Sequence, residues 1–482
     1  MRRILVSHYE GLLTRAAVLD GDRLTAFLRE EDGCPRLIGG IYLGEIIRGA
    51  PGTKGMFVEL AGDAKGYLEQ SDVLGAPSTA PRPPPFALSK KDSAAAPRPL
   101  PPRTRIIVQV KRRPAGSKLL QVTTDVSLAG MLVVLRPYRP IRRITKALKE
   151  ETERDALHDT LRAIKPPGKA GVIVRTAGRN ASAAALAAQI QVLAGLWERL
   201  VRAAWEMRGP GLLLAEPPLL ERLVRDELGP ERTEIVIDSP AALQRLEAAL
   251  EAAGGKPRAA LRLHAAGPPI FHAFHVEKEI ENLYNRVLSL PSGGSLVIES
   301  TDAMVAVDVN SGSARGGAEA LRTNLEAADV LFRQLRLRNL GGLVACNFIG
   351  MRDERERGAV EKRLRTLASE DRGNVWVGRI DPLGVAVLTR RAEGEPESAL
   401  GLVKCPRCGG PGAVVDGVSA AAGLLDALRL KGRSRTIKAK VTTRVMAILA
   451  RSPAFKDIKA ELGRKLAIEE LPCGPNADVE VM

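Results

Sequence analysis

The stretch SLVIESTDAMVAVDVNS, residues 295–311, decides the fold class of this chain. It holds two runs of apolar and β-branched residues, LVIES and AMVAVDVN, which predict a pair of β-strands. The segment that follows has apolar residues spaced alternately by four and three positions: Leu321, Leu325, Ala328, Phe332 and Leu335. This spacing is typical of a helix that packs one face on a sheet. The region is therefore predicted to be α/β.

Helices and strands continue to alternate on both sides of this stretch. Downstream, LVACNF predicts a strand, residues 353–370 predict a charged helix, and VWVGRI and GVAVLTR predict two further strands. Upstream, residues 212–275 alternate between helix and strand, and the strand GVIVR lies between helices predicted at 146–164 and 181–207. The pattern indicates an α/β multidomain protein.

The N-terminal part of the chain has a β pattern instead. Residues 1–35 predict two short strands, RILVSHYE and LTRAAVLDG, with a turn at the DG dipeptide. Residues 36–75 and 104–125 predict further short strands joined by glycine turns. The proline-rich stretch between them can enter neither a strand ladder nor a helix interior, so we interpret it as an inserted loop.

The charge balance favours a polyanionic partner. The 482 residues carry a formal net charge of +16, which creates a positive surface field. The alternative is solubility alone, because an arginine-rich composition raises net charge without any ligand.

Cysteine usage and hydropathy indicate a cytoplasmic protein. The five cysteines include only one close pair, which does not suggest a disulfide framework. No apolar run of about 18 residues could span a membrane. The first residues, MRRILVSHYE, lack the apolar run and cleavage site of a secretory signal.

Asp308 is a candidate metal ligand. It ends an apolar strand, and the period of two places Asn310 on the same face. A carboxylate beside an amide oxygen suits magnesium, which activates water in phosphodiester cleavage. Asp302 would share the face if the strand is continuous. The alternative is a strand-end aspartate that caps a turn.

Cys405 and Cys408, in CPRCGG, place two thiolates on one tight turn. Tetrahedral zinc needs four ligands, and the chain contains no second CxxC pair and no histidine nearby. A redox pair and a turn without metal are the alternatives.

Taken together, these motifs resemble the catalytic region of the ribonuclease E/G family. The resemblance is carried by SLPSGGSLVIESTDAMVAVDVNS, RTNLEAADVLFRQLRLRNLGGLVACNFIGM and CPRCGG. In the N-terminal half it is carried by GGIYLGEIIRGAPGTKGMFVELAGDAKGYL, LLQVTTDVSLAG and GVIVRTAG. It covers nearly the whole chain, with the motifs in the family's order.

The resemblance implies a fold of several parts. These are an RNase H-like portion (1–35 plus 211–275), an OB-type (S-one) β-barrel (36–118, with the proline-rich insertion at about 76–103), a 5′-sensor region (119–210), a DNase I-like catalytic subdomain (276–400), a zinc link (401–412) and a small C-terminal domain (413–482).

The resemblance also implies roles at the acidic site. Asp308 would be catalytic and bind Mg²⁺, Asn310 would orient the attacked phosphate, and Asp302 would support them. The family's second metal-binding aspartate opens a segment written DFIDM, which reads NFIGM here. Asn347 therefore stands at the second Mg²⁺ position with an oxygen and no charge, which weakens metal binding.

Other positions depart from the family pattern. The loop NSGSARGGAEALRTN is shorter than the family's, and Asn374 replaces an arginine that helps to hold the RNA 5′ phosphate. Arg175 and Thr176, the other contacts of that 5′-phosphate-sensing pocket, are present, so the pocket is weakened. Asp353 or Glu354 could replace the lost carboxylate. The alternative for Asp353 is a charge at a helix N-terminus.

The family's RNA-binding residues on the barrel match Phe57, Tyr67 and a basic position at Arg112, with Lys111 adjacent. Aromatic faces stack on bases without requiring a particular sequence. The alternative is that Phe57 belongs to the barrel core. In the family, two subunits each donate one cysteine pair to a shared Zn²⁺, which implies a homodimer joined through Cys405 and Cys408.

Two functions remain open. The first is an Mg²⁺-dependent endoribonuclease that cuts single-stranded RNA in RNA processing or decay. The second is an RNA-binding homologue whose nuclease site is decayed or weakened, which Asn347 favours. A structural dimer unrelated to RNA conflicts with the basic charge and the barrel motifs.

Overall fold

The computed structural model describes residues 2–34, 36–50, 52–62, 64–74, 100–112, 119–145, 150–164, 166–168, 170–253, 259–301, 303–312, 317–351, 353–371, 373–392, 401–404, 413–432, 436–471 and 479–481. Four features singled out from the sequence lie wholly or largely outside these ranges: Asp302, Cys405, Cys408 and the proline-rich insertion.

The strands, in chain order, are β1 (Arg2–Tyr9), β2 (Leu13–Asp20), β3 (Arg23–Glu31), β4 (Ile41–Gly49), β5 (Gly55–Glu59), β6 (Lys65–Glu69), β7 (Arg105–Arg112), β8 (Leu120–Thr123), β9 (Leu128–Ala129), β10 (Val133–Arg136), β11 (Arg142–Ile144), β12 (Gly171–Val174), β13 (Gly211–Leu214), β14 (Thr233–Ile237), β15 (Ala259–Leu263), β16 (Val287–Ser289), β17 (Ser295–Ser300), β18 (Val305–Asn310), β19 (Gly342–Asn347), β20 (Trp376–Ile380), β21 (Val385–Arg390), β22 (Leu402–Lys404), β23 (Ala413–Val415), β24 (Ile437–Thr442), β25 (Leu466–Leu471) and β26 (Val479–Val481).

The α-helices are α1 (Glu151–Ala163), α2 (Ala183–Glu206), α3 (Leu219–Arg222), α4 (Pro240–Ala252), α5 (Ile270–Ala273), α6 (Glu277–Glu281), α7 (Gly317–Leu337), α8 (Glu354–Glu370), α9 (Gly417–Lys431), α10 (Thr443–Leu449) and α11 (Pro453–Leu462).

The described residues form two compact units. One comprises residues 1–33, 235–239 and 262–482, and the other comprises residues 34–234 and 240–261.

The N-terminus contributes three strands to the first unit. The strands β1, β2 and β3 pair in antiparallel order, with the predicted turn between β2 and β3. The two predicted strands are therefore confirmed as β1 and β2, and the prediction missed β3. The third strand, RLTAFLREE, has a largely polar, partly exposed pattern that hides its pairing from sequence reading.

The second unit contains a closed β-barrel. The strand order is β13-β4-β5-β6-β8-β7, and an additional β4–β7 pairing closes the barrel of five strands. Its interior is filled by alternating apolar residues, among them Ile46, Val58, Val108 and Val122. The closed barrel is consistent with the OB-type fold. Its strand β8 lies wholly beyond residue 118, where the resemblance placed the end of the barrel.

The second unit also contains a smaller sheet, formed by strands that follow β8 in the chain. Its order is β11-β12-β10-β9. Helix α2 buries an apolar face that includes Leu186, Ile190 and Trp197, and Ser182 caps its first turn by accepting from the backbone N–H of Ala185. The helices predicted on either side of GVIVR are confirmed as α1 and α2.

A six-stranded sheet in the first unit carries the acidic site. Its order is β16-β17-β18-β19-β21-β20, with β17 antiparallel and β19 parallel to β18. One face packs on helices α7 and α8 through a core that includes Phe332, Val344 and Leu364. The strand pair and helices predicted from residues 295–390 are confirmed.

The C-terminal residues share their core with the chain's N-terminus. The sheet β25-β24-β26 and helices α9 to α11 pack around Leu424, Val441 and Phe455, and Tyr9 and Leu13 belong to the same buried cluster. In the part of the chain that the structure describes, no helix is long and apolar enough to cross a membrane.

Candidate active site and nucleic-acid interface

Asp308 and two asparagines meet at the carboxyl ends of two neighbouring strands. Because β18 and β19 run parallel, their ends lie at the same edge of the sheet, and Asp308 and Asn347 are direct cross-strand partners. Val307 and Val309 are buried against the helices, so Asp308 and Asn310 project from the opposite, open face. The structure brings these three side chains together at one edge of the sheet.

Both oxygens of the Asp308 carboxylate accept hydrogen bonds from amides. The Nδ2 of Asn347 donates to Oδ1 at 2.9 Å, and the Nδ2 of Asn310 donates to Oδ2 at 3.1 Å. Two carboxylates at these positions would repel each other and favour a bound cation. An amide at 347 satisfies the carboxylate without any metal, because its NH₂ group is a donor.

Within the described ranges, no group of three or more histidine, cysteine, aspartate or glutamate residues could hold a metal ion. The condition attached to Asp302, a strand that continues as far as Asp308, is not met, because β17 ends at Ser300 and β18 begins at Val305. Asp302 itself lies outside the described residues.

Asp353 has a structural role at the start of helix α8. Its Oδ1 accepts hydrogen bonds from the backbone N–H groups of Arg355 and Glu356, both at 2.9 Å. This is an N-cap, which satisfies donors that the first helical turn leaves unpaired. Glu354 is exposed on the same turn. The cap agrees with the structural alternative given for Asp353.

A single row of side chains crosses the outer face of the barrel. Arg48 is the cross-strand partner of Phe57, Phe57 of Tyr67, Tyr67 of Gln121, and Gln121 of Arg112. Cross-strand partners share one face of a sheet, so these five side chains form a continuous strip. The predicted RNA-binding residues Phe57, Tyr67 and Arg112 all belong to it.

Phe57 lies on this strip and not in the barrel core. Its neighbours Met56 and Val58 are fully buried, whereas Phe57 and Tyr67 are partly exposed. The two rings meet edge to face with centroids 6.3 Å apart, and the guanidinium carbon of Arg48 lies 5.8 Å from the Phe57 centroid. The arrangement combines aromatic faces with a cation, which suits stacked bases.

The two basic residues of strand β7 differ in what they contact. Lys111 forms an ion pair with Asp72, with Nζ 2.8 Å from each carboxylate oxygen. Arg112 is exposed and donates from Nε to Gln121. Arg112 is thus the better placed of the two for a phosphate contact.

Arg175 and Thr176 follow strand β12. The Nη1 of Arg175 donates to the carbonyl oxygens of Gly130 and Arg225 at 2.7 and 3.1 Å, and its Nη2 donates to Asp226 Oδ1 at 2.8 Å. Thr176 is exposed and begins a short 3₁₀ turn. The guanidinium of Arg175 is thus oriented by protein acceptors, and any anion that bound there would have to compete with Asp226.

The ionisation of Asp226 is coupled to this arrangement. Burial opposes its charge, but hydrogen bonds and the positive charges of Arg225 and Arg175 outweigh burial and hold the pKa of Asp226 below its usual range. Asn374, at the position that lacks the family's arginine, is exposed with a left-handed φ of 49°.

The predicted zinc ligands Cys405 and Cys408 lie outside the described residues. The strands on either side of them, β22 and β23, pair in antiparallel fashion, with Lys404 opposite Ala413. Of the cysteines in the described ranges, Cys34 is exposed and Cys346 is buried, and both are free thiols.

Comparison with known proteins identifies the family. The sequence model of the ribonuclease E/G family matches residues 127–393, which is more than half of the chain. The match contains Arg175 and the three residues of the open face, Asp308, Asn310 and Asn347. The chain belongs to the ribonuclease E/G family.

Individual relatives agree with this membership. Ribonuclease E from Escherichia coli (strain K12) is 33% identical over 436 residues, covering 88% of this chain and 40% of that protein. Ribonuclease E from Haemophilus influenzae is 32% identical over 461 residues, covering 93% of this chain and 48% of the relative. Ribonuclease G from Escherichia coli (strain K12) is 30% identical over 409 residues, covering 83% and 82%. The chain thus spans less than half the length of these two ribonuclease E proteins.

Sequence reasoning missed one residue that shapes the site of this ribonuclease E/G family chain. Asn324 of helix α7 is fully buried, and its side chain donates to the carbonyl oxygen of Ile349 at 2.9 Å and accepts from the N–H of Ile349 at 3.0 Å. This bidentate contact fixes the backbone two residues after Asn347. A polar residue within the apolar face of a predicted helix was the available signal.

Arg48, Gln121 and Asp226 were missed for a different reason. Arg48 and Gln121 join the aromatic strip only through strand register, and Asp226 reaches Arg175 across 51 residues of sequence. No local pattern marks such contacts.

Proposed function

We propose that this chain is an RNA-binding, Mg²⁺-dependent endoribonuclease that acts on single-stranded RNA in RNA processing or decay. The observation that carries the proposal is the open-face site, where Asp308, Asn310 and Asn347 converge inside the segment matched by the family. The names of the relatives, ribonuclease E and ribonuclease G, support an endoribonuclease role.

The candidate ligands are atoms of the kind that binds magnesium, but among them Asp308 alone carries a negative charge. Asp308 supplies one carboxylate, and Asn310 and Asn347 each carry an amide oxygen, so all the candidate ligands are oxygens as Mg²⁺ requires. When bound, the ion would activate water and stabilise the charge that develops on the phosphate. Asp308 would hold it, with Asn347 offering a neutral oxygen. The site therefore needs more Mg²⁺ than one with two carboxylates.

The chain's own residues would position the RNA. The NH₂ group of Asn310 is on the open face and can donate to a phosphate oxygen once it leaves Asp308. The barrel strip centred on Phe57 and Tyr67 would stack bases, and Arg175 with Thr176 would hold a 5′ phosphate. The RNase H-like, 5′-sensor and DNase I-like assignments belong to the same proposal.

The proposal extends to zinc, assembly and location. Cys405 and Cys408 would donate two thiolates to a Zn²⁺ shared with a second subunit, giving a homodimer, and the antiparallel pairing of β22 and β23 supplies a hairpin that suits such a knuckle. The site of action would be the cytoplasm, where thiolates remain reduced.

The nuclease proposal is tested on 5′-monophosphorylated single-stranded RNA with Mg²⁺. The parent is expected to cut the RNA, and Asp308→Ala is expected to lose cleavage while retaining RNA binding, because the barrel strip is unchanged. A parent that binds RNA and never cuts it would sink the nuclease proposal.

A second function is favoured by one contact, the 2.9 Å hydrogen bond from Asn347 to Asp308. It satisfies the carboxylate without a metal, as expected of an RNA-binding homologue with a weakened nuclease site. In that case the parent binds RNA with little cutting, and Asn347→Asp restores cleavage. An Asn347→Asp protein as inert as the parent would show that position 347 is not a ligand.

A further inference from the structure

The open face of the six-stranded sheet continues from the acidic site into an apolar surface. Asp308 pairs with Asn347, and Asn347 with Val385, which forms one row across the sheet. A parallel row four residues away joins Leu343 on β19 to Thr389 on β21, and Thr389 to Trp376 on β20. Val344 and Leu388 beside these rows are buried, and Val375 and Val377 on either side of Trp376 pack against the core, so both rows lie on the side opposite the helices.

Trp376 is the largest exposed side chain of this face, with 61% of its surface open to solvent. Its ring lies against the backbone of Gly378. A Cβ atom built on this glycine would lie 3.3 Å from Cη2 and 3.5 Å from Cζ3 of the Trp376 ring. Leu343 and Val387, each 38% exposed, continue the apolar surface. The indole therefore has one side supported by the sheet and a large area free, which is the geometry of a stacking platform.

A basic residue lies on the same face of β20, because the register against β21 shifts between Val377 and Ile380, so that Gly378 and Arg379 both fall opposite Val387. Arg379 follows Gly378 on β20 and is exposed, and its guanidinium forms no ion pair or hydrogen bond with the residues that the structure describes. An aromatic face beside an unpaired guanidinium matches the two components of single-stranded nucleic acid, a base and a phosphate.

We propose that Trp376 stacks on a nucleobase of single-stranded RNA, with Arg379 contacting the adjoining phosphate. The inference rests on the proposed function, which it deepens by adding an RNA contact on the catalytic sheet itself. Trp376 lies three strand spacings and four residues from Asp308 in the sheet register, roughly 20 Å away. A strand of a few nucleotides would span that distance along one continuous face.

RNA is favoured over a protein partner by continuity and charge. The surface shares its face with Asp308 and Asn347, it offers one aromatic platform and not a broad apolar area, and the chain carries a net charge of +16. A second copy of the chain covering Trp376 would be a different proposal, and the experiment separates the two.

The test measures binding of a 3′-fluorescein-labelled single-stranded RNA in EDTA, which prevents cleavage. Trp376→Ala is expected to weaken binding about 5- to 150-fold, the usual range for one lost base stack. Trp376→Phe keeps an aromatic face and should stay near the parent. Leu383→Ala is the matched control, because Leu383 is 83% exposed in the turn after β20. Arg379→Ala should lower the salt dependence of binding by about one phosphate contact.

Tryptophan fluorescence gives an independent readout. With the third tryptophan, Trp205 (39% exposed), replaced by phenylalanine in both proteins, RNA should quench the emission of the parent and leave Trp376→Phe largely unquenched, since the remaining Trp197 is fully buried. RNA binding by Trp376→Ala equal to the parent, with equal quenching in Trp376→Phe, overturns the proposal. Loss of self-association in Trp376→Ala, with RNA affinity unchanged, also overturns it and assigns the face to a second copy. If the parent protein binds no RNA, the proposed function is contradicted as well.

Discussion

At the scale of single residues, Asn347 sets the charge of the site, because it stands where the family pattern has an aspartate. A carboxylate at position 347 would add a negative charge beside Asp308, whereas the asparagine supplies a donor at 2.9 Å. The same atoms occupy nearly the same space, but the electrostatic need for a cation is lower. The chemistry of the whole sheet edge therefore depends on a single amide.

Arg175 gives a prediction at this scale. Asp226→Asn removes the charge that opposes an incoming phosphate and also loosens the grip that orients the guanidinium. We expect a smaller preference for 5′-monophosphorylated over 5′-hydroxyl RNA, because orientation matters most for a bidentate phosphate contact. Competition binding with the two RNAs measures it, and Arg245→Ala, on an exposed surface pair, is the control.

The pH dependence of that contact follows from the lowered pKa of Asp226. An acid whose pKa is depressed by folding contributes stability above its unfolded value, about 4, and loses it as pH falls through the folded value. The Arg175–Asp226 pair therefore persists throughout the neutral range. A preference for 5′ phosphate that changed sharply between neutral pH and mild acid would have to come from another group.

At the scale of elements, a buried polar network ties helix α9 to the N-terminal strands. Arg15 of β2 forms an ion pair with Asp426 at 2.6 Å, with the two side chains 10% and 7% exposed, and the hydroxyl of Tyr9 donates to the same carboxylate. Burial, reinforced by the negative charge of Asp426, raises the pKa of Tyr9 well above its usual value, so the hydroxyl stays protonated.

This network predicts a large loss of stability. Asp426→Ala leaves the buried Arg15 guanidinium unpaired, and breaking a buried pair in this way costs about 3–5 kcal/mol. Asp329→Ala removes a partner from the exposed Arg363 pair and should cost at most about 1 kcal/mol. Urea denaturation of both variants measures the difference. Equal losses of unfolding free energy in the two variants would show that the buried Asp426 ion pair stabilises the fold no more than the exposed pair does.

At the scale of the whole molecule, periodicity and register contributed differently to what could be predicted. The period of two in VAVDVN placed Asp308 and Asn310 on one face, and the four-three spacing predicted helix α7, because both patterns reflect local geometry. The Trp376 surface depends on which strands are neighbours, and β20 reaches β19 only through β21. Strand order and amide orientation arise from tertiary packing, so the sequence did not indicate them.

We propose that Asp308 is the charged Mg²⁺ ligand of a nuclease site and that Asn347 weakens metal binding there. The most direct measurement is the cleavage rate of one 5′-monophosphorylated single-stranded RNA as a function of Mg²⁺ concentration for the parent, Asn347→Asp and Asp308→Asn. We predict that Asn347→Asp reaches half its maximal rate at a lower Mg²⁺ concentration than the parent, and that Asp308→Asn does not cleave at any concentration. Superimposable curves for the parent and Asn347→Asp, or full activity in Asp308→Asn, would contradict this account.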